Sequence, residues 1–196
     1  MNKWFIGVIA LLAVLCVWGI IAYNGMITQE ENVEKSWADV QNQYQRRYDL
    51  IPNLVNTVKG YSDHESSTFE KVTEARAGLM NAHAEAQSVA DPQNHLAQFQ
   101  AAQDKLNSAL GIYVNAVHED YPDLKANENF MNLQTQLEGT ENRIATERRR
   151  YNQAVMDYNL RIRRFPGSVV AGITGFEKKE QFAADSQAQS APKVEF

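Results

Sequence analysis

Cysteine occurs once in this chain, as Cys16, and lies within an apolar run near the N-terminus. The rest of the chain has no disulfide to staple it and no thiolate to act as nucleophile or metal ligand. Proline (5) and glycine (10) are few and sparse through the middle, which disfavours turn-dense β architectures and favours long helices. Positive charge is in deficit: 19 Lys and Arg face 24 Asp and Glu, and the net charge of −5 argues against a general nucleic-acid binder. Recognisable reaction chemistry is missing too. There is no G-x-S-x-G elbow, no H-E-x-x-H pair and no glycine-rich phosphate loop.

What the chain does have is one long uncharged run, WFIGVIALLAVLCVWGIIA at residues 4–22. As a helix it is about 28 Å long, close to the thickness of a bilayer's hydrocarbon core. A cleaved signal peptide is the competing reading. Signal h-regions span ~7–15 apolar residues and end in a small-x-small site, whereas this run is longer and its nearest triplet, Ile20-Ile21-Ala22, is bulky where a small residue is preferred. We therefore expect an uncleaved transmembrane anchor over residues 1–26, with Trp4, Trp18 and Tyr23 at its interfaces. Lys3 and the α-amino group precede it, and Glu30, Glu31, Glu34 and Asp39 follow with only Lys35 between them. Since Lys and Arg dominate orientation, this small bias tilts the N-terminus inward and the body outward.

Four amphipathic segments follow within residues 27–166. Val33, Trp37, Val40, Tyr44, Ile51, Leu54 and Val58 form a near-heptad stripe in which Arg47 takes the skipped position. Pro52 interrupts it, which predicts a kink or two shorter helices, and a break is expected across residues 60–63. A weaker stripe carries Val72, Leu79, His83 and Ala86 and stops at Asp91-Pro92. The third, Phe99, Gln103, Leu106, Leu110, Tyr113 and Val117, ends at residues 118–122. The fourth runs in steps of three and four from Phe130 to Phe165, about 50 Å of helix, and stops at Pro166-Gly167. Short connections between such stripes predict an all-α fold: an N-terminal transmembrane helix followed by an antiparallel up-down bundle of four long helices. A coiled coil completed by oligomerisation is the alternative.

That topology returns the end of helix four to the bilayer. Seven arginines and three acids lie between residues 141 and 165. Arg161, Arg163 and Arg164 are candidates for contact with anionic headgroups or a partner, together with Phe165, Val169 and Phe176. The plainer expectation is that these arginines pair with Glu30, Glu31, Glu34 and Asp39. Residues 167–176 are apolar and glycine-rich but too short to span, and fit the interface or the base of the bundle. Residues 177–196 read as a polar flexible tail, although Pro192 to Phe196 alternate in a way that suits strand addition to a partner. His64-Glu65 and His118-Glu119 fall at helix breaks that the topology puts at the far end, where they would converge on a metal only if the loops met.

Several stretches together resemble the LemA family of bacterial membrane-anchored proteins. They are the anchor, Trp37, the run Arg46-Arg47-Tyr48-Asp49-Leu50-Ile51-Pro52-Asn53-Leu54-Val55, then Val58-Lys59-Gly60-Tyr61, His64-Glu65 and Ala75-Arg76. Glu119-Asp120-Tyr121-Pro122-Asp123-Leu124-Lys125-Ala126, Glu141-Asn142-Arg143-Ile144-Ala145, Tyr158-Asn159, Phe165-Pro166 and Pro192-Lys193-Val194 continue the match. The resemblance implies a helical bundle behind one transmembrane helix in the bacterial inner membrane. It implies no reaction, and it links the chain by analogy to membrane-compartment organisation. A family description with the short N-terminus outside would put the body in the cytoplasm, against the charge bias, and both placements stand.

The expected function is that of a non-enzymatic scaffold or adaptor with no cofactor. Its partners would be the lipid bilayer, further copies of itself and other membrane proteins, with no nucleic acid or small-molecule substrate. One alternative is anionic-lipid binding through the arginine-rich end of helix four. The other is a metal-dependent hydrolase using His64, Glu65, His118 and Glu119.

Overall fold

The computed structural model describes residues 3–62, 70–124 and 127–183. Among them all regular structure is helical: α1 Lys3–Ser62, α2 Glu70–Gln87, α3 Leu96–Asp120, α4 Glu128–Arg163 and α5 Gly167–Thr174. The first difference from the sequence expectation is that anchor and first stripe are one helix of 60 residues. No proline stands between residues 4 and 51, so nothing local interrupts the hydrogen-bond ladder where the apolar run gives way to the stripe. Pro52 lies inside the helix, and two shorter helices do not form. Ile51, Leu54, Val55 and Val58 are buried around it, and that packing offsets the hydrogen bond proline forfeits.

The remaining boundaries have local causes. The Asn127 side-chain oxygen accepts hydrogen bonds from the backbone N–H groups of Asn129 (3.0 Å) and Phe130 (3.2 Å), capping the start of α4. Asp91 adopts a left-handed φ of 44° in the turn before α3, a conformation aspartate tolerates better than most residues. Residues 167–176 carry a helix that the reading of an apolar glycine-rich segment did not specify. α5 closes at Gly175, whose φ of 79° is left-handed and whose N–H bonds the Ala171 carbonyl at 2.9 Å.

The chain divides into two compact units, and α1 and α4 each contribute one stretch to both. One unit comprises Met1–Asp39 and Arg149–Gln181, and the other comprises Val40–Arg148 with Phe182. In the second unit the stripe residues Val40, Tyr44, Ile51, Leu54, Phe99, Leu106, Tyr113, Val117, Phe130, Leu137 and Ile144 are buried. Tyr44 meets Phe99 edge-on at 4.9 Å between ring centres, Tyr61 meets Tyr121 at 5.9 Å, and His118 meets Phe130 at 5.8 Å.

At the skipped stripe position this unit holds a cation. Arg47 is fully buried, and its guanidinium donates to Asn107 Oδ1 (2.5 Å), Glu141 Oε1 (2.7 Å) and Gln103 Oε1. The Gln103 amide donates in turn to the Tyr48 hydroxyl, which donates to the Ala86 carbonyl. The Tyr44 ring lies 5.1 Å from the guanidinium carbon. One side chain of α1 is thus tied to α2 through Tyr48, to α3 and to α4. A charge buried this deeply persists only because it is paired and hydrogen-bonded.

Burial pushes the Tyr44 phenol up to about 12, with Arg148 and Arg47 pulling the other way. Burial likewise raises Tyr48 and Tyr113 above the ordinary tyrosine value. An unfolded tyrosine ionises near pH 10. Between pH 10 and 12 the unfolded Tyr44 has therefore released its proton while the folded one keeps it, and stability falls as pH rises. The expected slope from Tyr44 alone is about 1.4 kcal/mol per pH unit. Denaturant titrations of the full chain and its Tyr44→Phe variant across this range check it: the variant's slope should be shallower, and below pH 9 the two slopes should coincide.

Candidate membrane-proximal site

The first unit is built on the apolar run. Residues 4–21 are exposed along α1 apart from the partly exposed Gly19, and burial begins with Ala22 and Met26, followed by Val33 and Trp37. Among the described residues α1 is the one helix long and apolar enough to cross a membrane. Tyr151, Val155, Tyr158 and Ile162 of α4 are buried in this unit, and Trp37 packs on Tyr151 with ring centres 5.4 Å apart. Two glycines set the close approaches. A Cβ on Gly25 would stand 2.7 Å from an Arg161 guanidinium nitrogen, so that side chain lies across bare backbone. A Cβ on Gly167 would stand 2.9 Å from the Arg161 carbonyl oxygen and 3.1 Å from the Met26 methyl carbon, and any side chain there would displace α5.

Where the exposed apolar run ends, α1 and the end of α4 enclose an open groove of about 650 Å³. Trp18, Ile21, Leu160 and Phe165 supply its apolar wall, and Thr28, Gln29, Asp157, Arg161 and Arg164 its polar one. The Thr28 hydroxyl donates to the Asn24 carbonyl (2.9 Å), and the Gln153 amide donates to both Asp157 oxygens (3.1 and 3.2 Å).

The six candidate residues fall into distinct surroundings. Arg161, Arg164 and Phe165 come together in the groove with Trp18 and Ile21. Arg163 is exposed and lines an adjoining depression with Met156, Asn159 and Lys178, which shares Leu160 and Arg164 with the groove. Val169 is exposed on α5. Phe176 is partly buried and meets Tyr23 at a tilt (5.7 Å) and Tyr158 edge-on (6.4 Å). Two of the acids expected to meet the arginines, Glu30 and Glu34, have the Lys179 ammonium 3.3 and 2.9 Å away. Burial lowers the Lys179 pKa, but hydrogen bonds and charge from Glu34 and Glu30 outweigh it and hold the ammonium above the usual lysine range.

Lys179 belongs to a stretch that composition alone marks as a loose tail. In this unit Tyr158 donates to the Glu177 carbonyl (3.0 Å), Asn159 exchanges two hydrogen bonds with the Lys179 backbone (2.9 and 3.0 Å), and Tyr151 donates to the Glu180 carbonyl (3.3 Å). In the other unit Phe182 is buried under the Arg148 guanidinium, whose carbon lies 4.6 Å from the ring centre, and Gln100 binds the Ala183 backbone. Sequence reasoning missed this strap; its signal is an isolated Phe among polar residues and the Tyr158-Asn159 pair that receives it. Residues 192–196, the proposed strand addition, lie outside the described residues.

The proposed metal loops are only partly described, since His64 and Glu65 fall outside. His118 contacts the Gln134 amide at 3.2 Å and Phe130, and Glu119 lies 3.6 Å from Lys71. Among the described residues no group of three His, Cys, Asp or Glu side chains is placed to hold a metal ion.

A family model described as the LemA family matches residues 36–196. Magnetosome protein MamQ 2 of Paramagnetospirillum magneticum is 28% identical over 192 residues, covering 90% of this chain and 69% of that protein. Magnetosome protein MamQ of Magnetospirillum gryphiswaldense is 27% identical over 177 residues, covering 83% and 65%. Protein LemA of Metamycoplasma hominis is 24% identical over 148 residues, covering 76% and 63%. The alignments thus span about two thirds of each relative's length.

Proposed function

This chain belongs to the LemA family, and from that premise we propose that it is a membrane-anchored helical scaffold that acts by self-assembly or by contact with other membrane proteins. The observation that carries this reading is the exposed apolar stretch of residues 4–21, which continues in the same helix into residues packed with α4. Such a surface has no favourable place in water and a natural one in lipid. The relatives named as magnetosome proteins fit a role of this kind, and their names point to no reaction.

We read α2, α3 and the adjoining stretches of α1 and α4 as an up-down-up-down bundle. Tyr44 with Phe99 and Tyr61 with Tyr121 match α1 and α3 in the same direction, while Tyr48 meets His83 and the carbonyl of Ala86 near the end of α2. Its partners are the bilayer, other copies of the chain and other membrane proteins. Cross-linking and native mass measurement of the full chain in detergent test the assembly: dimers or larger species are expected, and isolated monomers at every concentration would exclude it. A reporter at the C-terminus, assayed on both faces of the inner membrane, decides between the inward and outward placements.

A further inference from the structure

Two guanidinium groups stand at the end of the apolar run with no ion pair to any described residue, and the groove they line has Trp18, Ile21, Leu160 and Phe165 as its apolar wall, with the Asp157 carboxylate held by the Gln153 amide. Arg161 lies across the bare backbone of Gly25, and Arg164 shares the groove with Trp18, Ile21 and Phe165. This combination matches a phosphate bearing hydrocarbon: cations for the anion, an indole and aliphatic wall for what is attached to it. Since Trp18 and Ile21 belong to the run that α1 offers to lipid, the groove opens at the depth where headgroups lie.

A second observation points the same way independently. Val169 and Ile173 stand one turn apart on α5, which puts them on one helical face, and they are 52% and 81% exposed; Phe165, in the turn before α5, is 83% exposed. Ala171, on the opposite side of α5, is buried. An exposed apolar face on a short helix beside a transmembrane segment suits residence in the interfacial layer. It would hold the groove against one leaflet.

We propose that this groove binds the headgroup of an anionic phospholipid, with Arg161 and Arg164 on its phosphate and its acyl chains running along Trp18 and Ile21. The proposal rests on the reading that α1 crosses the bilayer. It requires neither self-assembly nor a protein partner.

The test uses the full chain in nanodiscs containing equal amounts of phosphatidylglycerol and phosphatidylcholine, followed by native mass spectrometry of the lipids retained after release. The unmodified chain should retain the anionic lipid over the zwitterionic one by about tenfold or more, and this preference should shrink as salt is raised. Arg161→Glu with Arg164→Glu should bring the ratio to about one. Arg46→Glu with Arg143→Glu makes the same charge change at two exposed positions in the other unit, and should leave the preference intact. No preference in the unmodified chain overturns the proposal, as does an equal loss in the distant double variant. If the groove variant fails to fold, the unmodified chain still decides the matter through its preference and its salt dependence. Resistance of the membrane-bound protein to alkaline carbonate separates the two readings: loss of lipid preference with anchoring intact overturns the headgroup site alone, whereas loss of anchoring in the unmodified chain overturns the membrane reading itself.

Discussion

Replacing Arg47 with alanine is expected to cost about 2–4 kcal/mol of stability, because a fully buried side chain is lost and the buried Gln103 amide loses its donor, while Glu141, 36% exposed at its side chain, can turn to water. The loss exceeds the net worth of the contacts. The buried Gln103 keeps an amide oxygen aimed at an empty space, Glu141 and the exposed Asn107 lose a donor, and Tyr44 loses the group beneath its ring. Arg46, one residue earlier, is exposed, and its alanine variant should stay within about 0.5 kcal/mol of the unmodified chain. Chemical denaturation of the full chain in detergent gives both values. The contrast with Arg47→Met combined with Glu141→Leu is also informative, because replacing both members of a buried pair by apolar groups is often neutral. If the double variant is as unstable as Arg47→Ala, the network does more than neutralise itself: the buried amide of Gln103 would then need the guanidinium to stay satisfied.

Leu12→Arg with Leu15→Arg is expected to abolish membrane integration. Residues 4–22 contain eleven Leu, Ile, Val and Phe, worth about −3 to −7 kcal/mol of insertion free energy at −0.3 to −0.6 each. Two arginines near the centre cost about 5–7 kcal/mol, which cancels or exceeds that total. The measurement is the fraction resisting carbonate extraction, which should fall from nearly all to a minor share. Leu12→Ala with Leu15→Ala leaves the run uncharged and should stay membrane-bound. A protein that stays integrated with two central arginines would show that contacts outside the apolar run hold it to the membrane.

Spacing at three and four residues makes much of the core of this fold legible in the sequence itself. Val33, Trp37, Val40, Tyr44, Ile51, Leu54 and Val58 are all buried, and so are Phe99, Gln103, Leu106, Tyr113 and Val117. Arg47 is visible as the odd member of its stripe, but Gln103, Asn107 and Glu141 lie 56, 60 and 94 residues away, and no local pattern links them to it. α5 escapes notice because Gly167, Gly172 and Gly175 lower the helix propensity of that stretch, and contact with its unit overrides this. The strap at 177–183 escapes because its anchors are backbone hydrogen bonds from Tyr158 and Asn159, which a polar composition does not advertise. The candidate groove was half legible. The alternation of helix directions expected from the sequence would bring Arg161 and Arg164 back toward the anchor, but only the structure shows them beside Trp18 and Ile21, and only it brings Lys179 to Glu30 and Glu34.

The absence of any loop between the apolar run and the body bears on how long the protein stays where it is put. Proteases cleave extended chain, and nicking concentrates at exposed loops and tips. From Trp4 to Ser62 every residue of α1 is helical, so a protease working at the bilayer face finds no extended substrate there. Shedding the body would require unwinding several turns of α1 that carry Met26, Val33 and Trp37 into packed surroundings. A stalk of extended chain can be released by one cut, whereas a cut within α1 has to wait for its unwinding.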